Sequence, residues 1–336
     1  MDKAEYALWV NHLSVSYPTA QGWNQATREV SLAVPKGSFV GVAGESGSGK
    51  STLVMAASRM LSPMIARIRG TVEIMGRDIF ALSREELRQM RWQSFSFVPQ
   101  SAMNALNPVL TIRQQMRDVM RAHHHPGPVA EQDRQAARML NIVEISPAKL
   151  DAYPHQLSGG QRQRAVIALA LLLEPGLVIM DEPTTALDVV AQRQVLGLIR
   201  GLQESLGFAV LFISHDLSLL LEVTDQVVVM YAGEVVESGG TEAMADHAYH
   251  PYSQALIGSF PPLHGTRRRQ QGIRGFPPDM LHLPAGCVFE PRCPLAEEAC
   301  KQIHPPLLPY EDRQVACVRL TAAAPPARPN GPEARR

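Results

Sequence analysis

The chain has 336 residues, 45% of them hydrophobic and 19% charged, which is enough to bury one large core with an appendage and too apolar for a disordered chain. Lys plus Arg (32) equals Asp plus Glu (32), so no net field draws the whole molecule to nucleic acid or an anionic membrane, and binding must come from local sites. The longest wholly apolar run, Ala165 to Leu173, is nine residues against the roughly 20 of a membrane-spanning helix, and Met1-Asp2-Lys3-Ala4-Glu5 lacks the features of a secretory signal, which predicts a cytoplasmic setting and reduced cysteines.

In chain order, alternation around Leu8-Trp9-Val10 and Leu13-Ser14-Val15 predicts strands, and Ser38 to Ala43 predicts a buried strand that stops at a glycine turn. The turn, Gly44-Glu45-Ser46-Gly47-Ser48-Gly49-Lys50-Ser51, is followed by Thr52 and a predicted helix from Lys50. It matches the phosphate loop G-x-x-x-x-G-K-[ST] in the strand-to-helix setting that its chemistry requires. Glycines let successive N–H groups face the phosphates of ATP, and the helix N-terminus adds partial positive charge. Lys50 is expected to reach the β- and γ-phosphates and the Ser51 hydroxyl to coordinate Mg²⁺. A strand is predicted at Phe95 to Val98. From Thr111 to Leu173 the signals are helical, broken only at His123-His124-His125-Pro126-Gly127-Pro128, which predicts a helical subdomain over about 101–172.

Leu177-Val178-Ile179-Met180 then leads into Asp181-Glu182, two carboxylates at the end of an apolar strand, where a cation or a reacting water must use them. Asp181 suits Mg²⁺, and Glu182 suits a base that polarises attacking water. A helix over Val190 to Ser205, a strand over Val210 to Ser214, and a hairpin of Gln226 to Met230 with Glu234 to Glu237 complete an α/β pattern. The last 86 residues are rich in Pro, so little regular structure is expected there and something other than a hydrophobic core should fix them. The end, Thr321 to Arg336, is Ala, Pro and Arg and is expected to be disordered. Cys287, Cys293, Cys300 and Cys317 all fall in this stretch, spaced C-x5-C-x6-C-x16-C. Four thiolates could hold a tetrahedral metal or a cubane cluster, and the spacing leaves the ligand open. The three histidines at 123–125 and Arg267-Arg268-Arg269 read as solvated surface.

With Leu157-Ser158-Gly159-Gly160-Gln161 standing upstream of Asp181, residues 6 to 260 resemble the ATP-binding cassette ATPases. The resemblance implies an α/β P-loop cassette over 1–258, with a RecA-like core, an antiparallel β subdomain and the inserted helical subdomain. An extension over 259–320 and a tail over 321–336 would follow. It implies that Ser158, Gly159, Gly160 and Gln161 contact the γ-phosphate held by a second cassette, with Asp188 in the loop that crosses to it. Gln100 would reach Mg²⁺ and the attacking water, His215 would hold the γ-phosphate with Glu182 and water in line, and Tyr17 would stack on adenine. Pro99 and Ser101-Ala102 depart from the family pattern around Gln100. His250-Pro251-Tyr252-Ser253-Gln254-Ala255-Leu256 and Gly286-Cys287 to Pro291-Arg292-Cys293-Pro294 resemble the carboxy-terminal extension of oligopeptide and dipeptide importer ATPases. By that resemblance the cysteines are expected to hold a [4Fe–4S] cluster, with Zn²⁺ as the alternative. The expected partners are a second, homologous cassette, two membrane permease subunits and, indirectly, an extracellular or periplasmic binding protein. The expected place is the cytoplasmic face of the membrane. The resemblance implies an ATP-hydrolysing subunit of an importer that powers uptake of peptides of the dipeptide and oligopeptide class, with nickel chelates or another small solute as the alternative. A soluble ATPase acting on nucleic acid or ribosomes is the other class; one cassette, no heptad run and zero net charge speak against it.

Overall fold

The computed structural model describes residues 3–100, 104–124, 127–184, 188–259 and 272–321. The two stretches around Leu8 and Leu13 lie on one 14-residue strand, β1 (Tyr6–Thr19), which turns at Ala20-Gln21 and pairs antiparallel with β2 (Gly22–Pro35). Leu8 and Val10, then Leu13 and Val15, face inward with Val30, Leu32 and Val34 from β2, at the period of two of a half-buried strand, interrupted by a register shift between Val10 and Leu13. A third strand, β4, and the short β5, given below in chain order, complete a four-stranded sheet in the order β2-β1-β4-β5.

A second sheet has eight strands. β3 (Phe39–Ala43) leads into the glycine turn and α1 (Lys50–Ala57); β4 (Arg67–Ile74), β5 (Arg77–Asp78) and α2 (Arg84–Gln93) follow. β6 (Phe95–Val98) is separated from β7 (Leu177–Asp181) by the helices α3 (Ile112–Ala122), α4 (Val129–Ile142) and α5 (Gly159–Ala170). After α6 (Val189–Leu206) come β8 (Ala209–Ser214), α7 (Leu217–Val223), β9 (Gln226–Tyr231), β10 (Glu234–Gly240), α8 (Thr241–Asp246) and α9 (Pro251–Gly258). Strands β9, β3, β8, β7 and β6 are neighbours in that order and run parallel. Every residue of β3, β7 and β8 is buried, because helices and the first sheet cover both faces. Their carboxyl ends therefore meet at one edge, where open α/β sheets bind ligands.

The Pro-rich end departs from expectation. β11 (Leu308–Tyr310) and β12 (Arg313–Val315) extend the large sheet beyond β10, in the order β11-β12-β10-β9. A hydrophobic core fixes this segment after all. Phe289 is fully buried, with its ring 5.2 Å from Tyr231 of β9 and 5.3 Å from Tyr252 of α9, both edge-on, and Val288 and Val318 join the same core. Proline limits repetitive structure but not burial, so short strands and one aromatic anchor suffice. Pro261-Pro262, Arg267-Arg268-Arg269 and the tail beyond Thr321 lie outside the described residues. The histidine turn is also not uniformly solvated: His123 is buried with its ring 5.8 Å from Trp92, His124 is exposed, and His125 lies outside the described residues.

His250 caps α9, its Nδ1 accepting the Tyr252 N–H at 3.1 Å while its own N–H donates to Glu237 Oε2 at 3.0 Å. Burial lowers its imidazole to about 3 from an ordinary 6.5. The unfolded chain then binds a proton that the folded chain does not, so this contribution to stability is whole above about pH 6.5 and is lost as pH falls from there towards 3. His250→Asn retains a capping side chain, and its melting temperature should fall less than the wild type's between pH 7 and 5 in thermal unfolding. Phe289→Ala should destabilise the protein by about 3–5 kcal/mol in urea unfolding, as removal of a fully buried ring does.

Candidate nucleotide site

The glycine turn can only be built from glycine at two places. Gly44 has φ 153° and a Cβ there would sit 2.3 Å from the Met230 carbonyl; Gly49 has φ 98° and its Cβ would sit 2.3 Å from that of Ala26. The loop curls round the Lys50 ammonium, which donates to the carbonyls of Gly44 at 2.7 Å and Glu45 at 2.9 Å and to Ser48 Oγ at 3.3 Å. Burial lowers the Lys50 pKa, and the charges of Glu182, Asp181 and Glu45 oppose that shift. An ammonium held by neutral carbonyls is ready to exchange them for a stronger anionic partner.

At the end of β7, Asp181 is buried and its Oδ1 accepts from the Ser51 hydroxyl at 3.0 Å, from the first turn of α1. Burial raises the Asp181 pKa, and the Ser51 hydrogen bond and Lys50 work against that rise. A hydroxyl and a carboxylate in contact are hard oxygen donors, and a carboxylate held in a dry site gains from a divalent cation, so this pair fits Mg²⁺. Glu182 follows with φ 42°, in the left-handed region, where a side chain persists only if its surroundings enforce it. Its N–H donates to the Ile213 carbonyl at 3.1 Å, and its Oε2 accepts from Gln100 Nε2 at 3.2 Å and lies 3.6 Å from His215 Nδ1. The Glu182 hydrogen bond raises the His215 pKa. Residues far apart in sequence, at the ends of β6, β7 and β8, thus face one another.

A cavity of about 560 Å³ joins these groups: Tyr17, Ser46, Gly47, Gly49, Lys50, Ser51, Thr52, Gln100, Glu182 and His215 all line it. Tyr17 reaches it from β1, with its hydroxyl 3.5 Å from Thr52 Oγ1. Sequence reasoning missed three lining residues, Asn24 and Ala26 of β2 and Met280 of the extension. None lies in a motif; each arrives by tertiary packing, and only the complete fold reveals it.

Ser158, Gly159, Gly160, Gln161 and Asp188 are not brought to this cavity among the described residues. Ser158 is exposed and caps α5 in a reciprocal box, accepting the Gln161 N–H at 3.3 Å while its own N–H donates to Gln161 Oε1 at 3.1 Å. The helix therefore starts at Gly159, with its capped N-terminal end at the surface. Asp188, also exposed, caps α6 by accepting the Ala191 N–H at 2.9 Å. Ala186-Leu187, beside it, lies outside the described residues.

The expected [4Fe–4S] cluster is corrected, and so is its Zn²⁺ alternative. The thiols are neighbours, yet among the described residues no group of three or more His, Cys, Asp or Glu is placed to hold a metal ion. Cys287, Cys300 and Cys317 are buried and Cys293 partly so; Cys287 and Cys300 belong to the main apolar core with Phe289. Burial pushes Cys287 up to about 11 and raises Cys293 and Cys317, which favours the protonated thiol over the thiolate that binds metal. Clustered in sequence, these cysteines act as small apolar side chains that help to pack the extension.

The profile of the ABC transporter family matches residues 27–185, and that of the oligopeptide/dipeptide transporter C-terminal region matches residues 236–300. The chain is 37% identical to a dipeptide transport ATP-binding protein of Caldanaerobacter subterraneus, over 92% of this chain and 95% of that one. It is 38% identical to an oligopeptide transport ATP-binding protein of Escherichia coli, over 90% of each. Among solved structures it resembles a dimeric ATP-binding cassette in a post-hydrolysis state bound to ADP and phosphate. That likeness has TM-score 0.62 and 27% identity, and covers 70% of this chain and 98% of that one.

Proposed function

Since the chain belongs to the ABC transporter ATPases, in the branch that carries the oligopeptide/dipeptide C-terminal region, we propose that it powers uptake of short peptides through separate membrane subunits. It is an ATPase of the cassette fold, and its work on a solute is done by motion passed to permease partners. Among the described residues no helix is long and apolar enough to cross a membrane, in keeping with a peripheral subunit; we place it on the cytoplasmic face. The single observation that carries the chemistry is the convergence of Lys50, Ser51, Glu182, His215 and Gln100 on one cavity. The relatives named above are transport proteins, which favours import over an action on nucleic acid or ribosomes.

The residue roles are inferred from this geometry. Lys50 exchanges its carbonyl partners for the β- and γ-phosphates, while the loop N–H groups and the start of α1 hold the remaining charge. Ser51 and Asp181, with Gln100, would hold Mg²⁺, which supplies charge neutralisation across those phosphates. Glu182 polarises a water and takes its proton as the oxygen bonds to the γ-phosphorus; the bond to the bridging oxygen breaks, giving ADP and phosphate. Gln100 and His215, both within reach of Glu182, orient that water and the γ-phosphate. Tyr17 offers its ring to the adenine.

We assign the exposed cap of α5, which does not line the cavity of its own chain, to the site of a second cassette. Ser158 and the N–H groups of Gly159 and Gly160 then meet the γ-phosphate in trans, with Gln161 holding the Ser158 turn and Asp188 near the joint. The second cassette is a homologous chain, and the pair serves two permease subunits fed by an extracellular or periplasmic binding protein. We assign contact with the membrane partner to the stretch around Val109, which is 75% exposed beside an Asn107 pinned to Gln115 by bonds of 2.9 and 3.1 Å.

Glu182→Gln should keep ATP binding and lower turnover by at least about 10²-fold in a phosphate-release assay, the usual worth of a positioned base. Lys50→Ala should weaken nucleotide binding itself by about tenfold or more, read by titration with a fluorescent ATP analogue. In cells lacking the chain, uptake of a radiolabelled dipeptide or tripeptide should be lost and be restored by the wild type but not by Glu182→Gln. Normal peptide uptake with a defect for another solute, such as a nickel chelate, would overturn the peptide assignment and leave the ATPase intact.

A further inference from the structure

Glu45 places a carboxylate inside a loop whose task is to bind an anion. Its charge is felt at the Lys50 ammonium, the group that must meet the phosphates. Its partner comes from 247 residues away: Arg292 Nη1 lies 2.6 Å from Glu45 Oε2 and Nη2 lies 3.0 Å from Oε1, a two-pronged pair. The Arg292 side chain is only 5% exposed, and Glu45 is 25% exposed. The remaining donors are fixed too, Nε to the Arg274 carbonyl at 2.8 Å and Nη1 to the Tyr231 hydroxyl at 3.3 Å. Three residues before it, Phe289 anchors the turn that carries it in the aromatic core. The main chain of Glu45 is held as well, its N–H donating to the Tyr252 hydroxyl at 2.8 Å. Met280 of the same extension lines the nucleotide cavity.

We propose that Arg292 is a positioning residue for ATP, acting through Glu45: it neutralises the carboxylate within the phosphate loop and so sets the loop's affinity for the nucleotide's polyphosphate chain. The extension is thereby part of the nucleotide site and not only an attachment to it. The inference rests on the phosphate-loop assignment above. Without Arg292, Glu45 would stand as an uncompensated negative charge beside bound phosphates, in a partly dry site where like charges repel strongly. If the pair were only a staple that holds the extension down, neutralising both partners would leave the same defect as losing one. If it compensates charge, neutralising Glu45 must cure the loss of Arg292.

The experiment titrates full-length wild type, Arg292→Gln, Glu45→Gln, the double variant and Lys50→Ala with a fluorescent ATP analogue and Mg²⁺, with adenosine competition as the uncharged control. Arg292→Gln should weaken ATP binding about tenfold, the double variant should return to within about threefold of wild type, and Glu45→Gln alone should bind at least as tightly as wild type. Adenosine should bind all of them alike, because it carries no phosphate. A double variant as weak as Arg292→Gln, or an Arg292→Gln that binds ATP like the wild type, would overturn the proposal. Should Arg292→Gln fail to fold, weaker ATP binding by Glu45→Gln would overturn it by itself. Failure of the wild type to bind ATP would bring down the phosphate-loop assignment, a result distinct from a wild type that binds and an Arg292 that does not matter.

Discussion

The structure depends on a set of charges gathered where parallel strands end. Lys50, Asp181 and Glu182 sit together at the carboxyl edge of the sheet, and Lys50 and Asp181 are buried there although each would be costly alone. They are tolerated because each has a partner: carbonyls for the ammonium, the Ser51 hydroxyl for Asp181, and Gln100 for Glu182. The parallel arrangement produces this gathering. Parallel strands all start at one edge and stop at the other, so the residues that follow β3, β6, β7 and β8 meet in space whatever their distance in the chain. The Gly44 and Gly49 conformations, closed to other residues by the Met230 and Ala26 carbonyls, allow the backbone to wrap the lysine.

The C-terminal extension belongs to the same architecture. Two of its short strands lengthen the large sheet, and Phe289 packs edge-on against Tyr231 and Tyr252, whose rings also touch one another, so that the extension shares the core of the cassette. That docking delivers a buried guanidinium to the phosphate loop and a methionine to the nucleotide cavity. The cysteines serve the packing, with Cys287 and Cys300 in the main apolar core, and burial favours the protonated thiol at Cys287, Cys293 and Cys317.

The nucleotide cavity and the α5 terminus divide the chemistry between two surfaces of one chain. Phosphate loop, carboxylates and histidine share the cavity, whereas Ser158 and its helix end lie elsewhere and exposed. Each half uses the same device, a helix N-terminus with unspent N–H groups. On the proposed function, a site assembled from both halves would form when two cassettes meet, which would couple the nucleotide to the distance between them and hence to motion.

By itself the sequence determined what local chemistry determines. The phosphate loop, the Asp181-Glu182 step and the strand-helix alternation are short-range patterns, because turn geometry and hydrophobic period act over a few residues. The presence of Gln100 and His215 beside Glu182 followed only by resemblance, since no local signal links residues 82 or 33 positions apart, and the order of the sheet strands came from the tertiary structure. Tertiary structure alone decided the fate of the last segment. Its prolines hid two strands, its cysteines suggested a metal that burial disfavours, and Arg292 was given no role of its own. Nothing near Arg292 in the chain points to Glu45; the packing of Phe289 against two tyrosines brings them together, and packing is a property of the whole core.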